Sequence, residues 1–294
     1  MHAQSSTKSM NNLIANMNQC TISEKSFTPT VSLNKVKYNN HPIIPSSYRM
    51  VICGKTGSGK TTLLLKLILL KKLDYEEIYI FCPTTFQIEY QIIISAFNKG
   101  LSAEHIINLF NYQNEIDKDD EGKPNFDLTI NRISEELTET EKSKIKINVL
   151  DHIPNPEEIY KHNKKIILVL DDVIAEGDAI KSAIGKIFTT SRPYGFNVIL
   201  LTQSFMKCDK QFIREQANVW MIFKESATVL KNIHEQKTEL DFPVKKDFLE
   251  FANYAWTKTI DGKLRGKNDI GFFIMVQNRN ENNYYNGDSI FNNV

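Results

Sequence analysis

Short apolar runs separated by longer amphipathic stretches set the rhythm of this chain. Runs of strand length fall at Tyr48–Cys53, Glu77–Cys82, Ile145–Leu150, Ile166–Leu170, Asn197–Thr202, Asn218–Phe223 and Gly271–Val276. Ile166–Leu170 and Asn197–Thr202 are nearly unbroken in their apolar character, as strands buried on both faces should be. Helical patterns lie between them, over Thr62–Leu73, Phe86–Asn98, Leu101–Tyr112, Leu128–Lys144, Ala179–Thr189, Val229–Gln236 and Lys245–Ala255. Alternating strands and helices predict an α/β fold with a mainly parallel central sheet flanked by helices. Asp261-Gly262 and Gly266 predict a hairpin turn before the last strand, and the Asn-rich end from Asn278 reads as frayed. Residues 1–47 are polar, rich in Asn, Ser, Thr and Lys, and lack a sustained period, which predicts a flexible N-terminal arm before one domain over 48–294.

Composition narrows the class without changing that picture. The chain has 294 residues, 41% hydrophobic and 24% charged, enough for one large α/β core. Its net charge of +1 provides no global basic field, so any nucleic-acid contact must come from a local patch. Cys20, Cys53, Cys82 and Cys208 show no CxxC pairing and read as reduced thiols of an intracellular protein. The start of the chain lacks a signal-peptide profile, and Lys66, Lys71 and Lys72 interrupt the longest apolar stretch, so no membrane role is expected.

Chemistry enters at Gly54–Thr61, which reads GKTGSGKT between the first strand and the first helix. This is a complete phosphate-binding P-loop in its required setting, and it predicts ATP with Mg²⁺ as ligands. Gly54, Gly57 and Gly59 allow the unusual turns that aim backbone N–H groups at phosphate oxygens. Lys55, Thr56, Ser58 and Thr62 complete the cradle at the positive end of the helix. Lys60 is placed to reach the β- and γ-phosphates, and the Thr61 hydroxyl to ligate Mg²⁺. The second requirement of an NTPase, acids for the metal shell and for water, is met by KKIILVLDDV. Asp171 is the predicted metal residue, and Asp172 the hydrolytic base or water-positioner. Gln203 leaves the carboxyl edge of the next buried strand, where open α/β sheets place ligands, and can sense the γ-phosphate or hold water.

Arg192, in TSRPYG, reads as part of a loop, and Arg214, in FIRE, as preceding the next strand. Each is a candidate arginine finger for a neighbouring subunit's site, and an ordinary surface ion pair is the alternative for each.

Taken together, LVLDDV, SRPYGFNVILLTQSF and FIREQANVWMIF downstream of GKTGSGKT resemble the genome-packaging ATPases of poxviruses and related large DNA viruses and virophages. That family lies in the FtsK/HerA superfamily of P-loop motors. The resemblance runs from about Tyr48 to Phe223, with weaker support to Val276. It implies a RecA-like core, a hexameric ring, and ATP-driven packaging of double-stranded DNA into a capsid, at a capsid or portal vertex. By position it assigns Lys60 and Thr61 to Walker A, Asp171 and Asp172 to Walker B, Gln203 to the sensor, and Arg192 or Arg214 to the finger. The broader superfamily carries Glu where this chain has Asp172. The implied setting is the host cytoplasm or the virion.

DNA contacts are expected from Lys258–Lys267, a basic turn with Lys263, Arg265 and Lys267, or from Lys207 with Lys210. A GTPase would need an Asn-Lys-x-Asp element, which Asn163-Lys164-Lys165 does not complete, and a small-molecule kinase would need an arginine-rich lid. A cellular HerA/FtsK-like DNA translocase or helicase has the same engine and is the alternative reading.

Overall fold

The computed structural model describes residues 38–83, 88–111, 116–161, 163–173, 177–266, 269–277 and 282–291. Eight strands form one sheet: β1 (Arg49–Cys53), β2 (Glu77–Phe81), β3 (Lys146–Leu150), β4 (Ile166–Asp171), β5 (Asn197–Thr202), β6 (Val219–Phe223), β7 (Phe272–Gln277) and β8 (Asn282–Asn286). Their order is β3-β2-β4-β5-β1-β6-β7-β8. All pairings from β3 across to β6 are parallel, and β7 and β8 close the sheet antiparallel. The strand that leads into the P-loop therefore sits in the interior, and β5 separates it from the acid-bearing β4. That is the RecA-like arrangement expected from the sequence.

Strand alternation explains the two cores. On one face Met50, Ile52, Val169, Ile199 and Met221 pack with α1 (Lys60–Leu69), α2 (Ile88–Asn98), α3 (Ala103–Asn111) and α4 (Phe126–Glu136). On the other, Val51, Leu168, Leu170, Leu200 and Trp220 meet α6 (Asp178–Tyr194), α7 (Ala227–Ile233) and α8 (Lys245–Thr257), while the short α5 (Pro156–Ile159) adds Ile159. Every residue of β4 and β5 is buried, at about 1.5–3 kcal/mol for each large apolar side chain. No helix among the described residues is long and apolar enough to cross a membrane.

Several element boundaries differ from expectation. The predicted helix over Leu128–Lys144 ends at Glu136, because Leu137 turns extended and the Thr138 hydroxyl and Glu141 carboxylate bond into a separate turn. The helix expected over Ala179–Thr189 runs on to Tyr194 through Pro193, and Gly195 caps it with φ 75°. The polar end contributes β8, which pairs with β7 from Phe273↔Asn286 to Gln277↔Asn282. Its alternation is hidden by Asn and Tyr side chains that bond outward, with Asn282 and Tyr284 both donating to Asp241.

The expected arm is also shorter at its inner end. Tyr38 and Ile44 are buried, and the Tyr38 hydroxyl accepts from the Ile166 N–H (3.0 Å) and donates to the Gly195 carbonyl (2.9 Å). Residues 38–47 thus belong to the α/β body, and residues 1–37 lie outside the described residues.

Candidate nucleotide-hydrolysis site

β1 ends at Cys53, and the Gly54 N–H still bonds the Thr202 carbonyl of β5 at 3.1 Å. The P-loop thus leaves the sheet from its carboxyl edge. Gly57 and Gly59 adopt φ of 75° and 94°, which a side chain would resist, and Gly59 is the N-cap of α1. The first N–H groups of α1 face the loop's hollow with no acidic residue in the first turn. Ser58 Oγ is buried beside Gly54 without a hydrogen bond among the described residues, and the Lys60 ammonium folds onto the Gly54 and Lys55 carbonyls at 2.8 and 3.2 Å. A phosphate is a stronger partner for the Lys60 ammonium than either carbonyl, so the loop's chemistry fits a nucleoside triphosphate.

The acids arrive from β4. Asp171 is buried at its end, and Asp172 follows with φ 55°, a left-handed conformation that turns its carboxylate away from the strand line. Burial pushes the Asp171 carboxyl above its usual range, and the Asp172 charge adds to this, against a hydrogen bond from Tyr90. Burial also lowers the Lys60 ammonium, while Asp171 and Asp172 oppose that shift. A buried carboxylate beside a hydroxyl, with a second acid adjacent, suits Mg²⁺, which keeps several waters and takes few protein ligands. Thr61 and Asp171 are the residues that would hold it.

A cavity of about 280 Å³ brings together Thr56, Gly57, Gly59, Lys60, Thr61 and Thr62 with Asp171, Asp172 and Gln203. Gly54 starts the loop beneath them, and Lys55 and Ser58 line a depression on its other side. The Gln203 amide donates to both Asp172 carboxylate oxygens, at 2.9 and 3.2 Å, so the two residues form one hydrogen-bonded unit.

Two residues that sequence reasoning missed join the site. Tyr90 of α2 lines the cavity, and its hydroxyl donates to Asp171 Oδ2 at 3.0 Å. Glu225, just beyond β6, lies behind the loop, where Cys53 Sγ meets Glu225 Oε1 at 3.4 Å and burial raises its carboxyl. No spacing rule flags Tyr90. Glu225 carried one usable signal: it follows a buried strand at the carboxyl edge.

The two arginines part company. Arg214 is buried in a π-helical turn, Lys210–Arg214, its guanidinium donating to the Cys208 carbonyl (2.8 Å) and Gln236 Oε1 (2.6 Å) over the Phe205 ring. Neither role expected of Arg214 fits this enclosed position, since a buried guanidinium bonded to its own subunit is neither a reaching finger nor a surface ion pair. Arg192 does not lie in a loop but in the last turn of α6, exposed, where its charge adds to burial in lowering the Arg49 guanidinium at the start of β1. Because α6 ends just before β5 begins, Arg192 sits at the amino edge of the sheet, opposite its own P-loop.

The basic turn is likewise altered. Arg265 is enclosed, donating to both Asp288 carboxylate oxygens (2.9 and 3.0 Å) and to Asn286, so it ties the C-terminal segment down and does not face a ligand. Lys263 pairs with Asp261 at 2.7 Å, and Lys267 lies outside the described residues. Lys207 and Lys210 are exposed just beyond Gln203.

A family model described as Poxvirus A32 protein matches residues 35–241. No curated protein matches the chain. Among solved structures, the genome packaging NTPase B204 from Sulfolobus turreted icosahedral virus 2, in complex with ATP-gammaS, is similar at 13% identity and a TM-score of 0.41, over 81% of this chain and 96% of that one. A DnaB-like replicative helicase is similar at 12% identity and a TM-score of 0.40, over 81% of this chain and 53% of that one. The KaiC-like protein PH0186 from Pyrococcus horikoshii OT3 is similar at 15% identity and a TM-score of 0.35, over 65% and 82% of the two chains.

Proposed function

The chain belongs to the poxvirus A32 protein family and is an ATPase, and from that premise we propose that it is the motor that drives viral double-stranded DNA into a capsid. The observation that carries this reading is the meeting of P-loop, acid pair and Gln203 in one cavity at the carboxyl edge of the sheet. In this mechanism the P-loop N–H groups bind the phosphates, and Lys60 leaves its two carbonyl partners to lie along the β- and γ-phosphate oxygens. Mg²⁺, held by Thr61 and Asp171, would supply neutralisation of phosphate charge. Asp172 orients the attacking water and accepts its proton, and Gln203 reads the terminal phosphate.

The site is completed in trans. Arg192 faces away from its own P-loop, so in a hexameric ring it would lie against the next subunit's γ-phosphate and stabilise the developing charge. A few exposed lysines per subunit, repeated around a ring, suffice for DNA contact without a basic monomer. The ring would work at a capsid or portal vertex, in the host cytoplasm or the virion.

ATP turnover with and without linear duplex DNA tests the reading. Duplex should accelerate hydrolysis, and Lys60→Ala should reduce it to background. A preference for GTP, or a wild-type rate indifferent to duplex, would sink the motor assignment.

A further inference from the structure

Gln203 is held at both ends. Its amide nitrogen donates to Asp172 Oδ1 and Oδ2 (2.9 and 3.2 Å), and its amide oxygen accepts from the Lys207 ammonium at 3.0 Å. The two ends agree on one orientation of the amide. Turned over, its oxygen would face a carboxylate and its NH₂ group an ammonium, and both contacts would repel. Asp172 and Lys207 together set which face of Gln203 meets the acid.

The backbone that carries Lys207 is fixed. Phe205 is fully buried, with its ring 5.1 Å from that of Trp220, and Ser204 caps the short 3₁₀ turn Phe205–Lys207 through Met206 N–H. Only the lysine's own side chain is free to move, and it is exposed. Lys210, also exposed, follows three positions on. Two cations thus face solvent at the carboxyl edge, and one of them is a single amide away from the hydrolytic acid.

We propose that Lys207 is a positioning residue of the hydrolytic site, and that a phosphodiester backbone drawing it away undoes the Gln203–Asp172 clasp. The partner half of this inference rests on the DNA-motor reading. In the clasped form both Asp172 oxygens already accept a bond from Gln203, which competes with the attacking water for them. A phosphate is a stronger partner for an ammonium than a neutral amide oxygen. Once Lys207 pairs with phosphate, Gln203 loses one of the two contacts that fix its orientation and is held by Asp172 alone. Its amide can then swing toward the terminal phosphate, and Asp172 is released to take a proton from water. The same side chain would thus contact the DNA and hold hydrolysis back in its absence.

The test compares the full-length wild type, Lys207→Ala and Lys207→Arg in ATP turnover with and without saturating linear duplex. DNA affinity is read separately by fluorescence anisotropy, and thermal melting verifies folding. Lys207→Ala should raise the DNA-free rate several-fold, toward the wild-type rate at saturating duplex, and bring the stimulation ratio close to one. Lys207→Arg, which can still donate to the amide oxygen, should restore the low DNA-free rate. A DNA-free rate in Lys207→Ala that is unchanged or lower overturns the clasp. A Lys207→Ala ratio equal to that of the wild type overturns the link to phosphate. The two readings fail separately: wild-type indifference to duplex removes the motor reading, while the DNA-free rate of Lys207→Ala still judges the clasp.

Discussion

A methyl group at position 59 would land 2.8 Å from Ile270 Cδ1, on a backbone held at φ 94°. Gly59→Ala should therefore cost roughly 1–3 kcal/mol in stability, read as a lower urea midpoint, and weaken binding of a fluorescent ATP analogue. Tyr90 acts more locally. Without its hydroxyl, Asp171 Oδ2 loses the donor that orients it. Tyr90→Phe should raise the Mg²⁺ concentration for half-maximal turnover roughly 10-fold, with the same weakening in Mn²⁺ binding followed by electron paramagnetic resonance. These residues also mark what could be read in advance. That the P-loop and Asp171-Asp172 would meet at one cavity was legible, because phosphate and metal chemistry asks for such residue types at fixed spacing next to a strand. Tyr90 was not, because only the packing of α2 over the sheet brings it to Asp171. Arg214 misled for the same reason: charge is visible in a sequence, whereas the Cys208 carbonyl, Gln236 and Phe205 that enclose it are not.

Elements whose cause is local were legible, and those with tertiary causes were not. The buried runs of β4 and β5 announced themselves, whereas β8 exists only because β7 offers it an edge and Arg265 fixes Asn286 and Asp288. Helix α6 outlasted its apparent stop at Thr189 because left-handed Gly195 and the following Phe196 close its last turn on the Arg192 and Ser191 carbonyls. The π-helical turn His234–Thr238 that continues α7 has a measurable signature. It carries Lys237 inward over the Trp220 ring, where the ammonium donates to the Arg214 carbonyl and Gln277 Oε1, and burial lowers it from the usual 10.5 to about 8. The unfolded chain then binds this proton more tightly, so the lysine's contribution favours folding above pH 10.5 and is lost as pH falls to about 8. The full swing is of the order of 3 kcal/mol. In Lys237→Met the rise in urea midpoint between these limits should be flatter than in the wild type; equal slopes would show that the lysine is not desolvated.

On the scale of the whole molecule, each P-loop and its own Arg192 lie at opposite edges of one sheet, so under the proposed shared site the arginine must come from a neighbouring subunit. Arg192→Ala should lower turnover roughly 10³-fold. Mixed with Lys60→Ala subunits, it should recover part of the rate, because the intact arginine of one variant then meets the intact P-loop of the other. A mixture no faster than its components, or a protein that stays monomeric with ATP and duplex, would rule out the shared site. The sheet order has one further consequence, for how the protein comes into being. Arg49 pairs with Val198 and Met50 with Val219, so the nucleotide cradle is framed by strands that leave the ribosome long after it. Until β6 has emerged, the apolar β1 and α1 have no native neighbours on one side, a long-range closure that folds slowly and exposes sticky surface. Vectorial synthesis thus delays the frame of the nucleotide cradle until β5 and β6 have emerged.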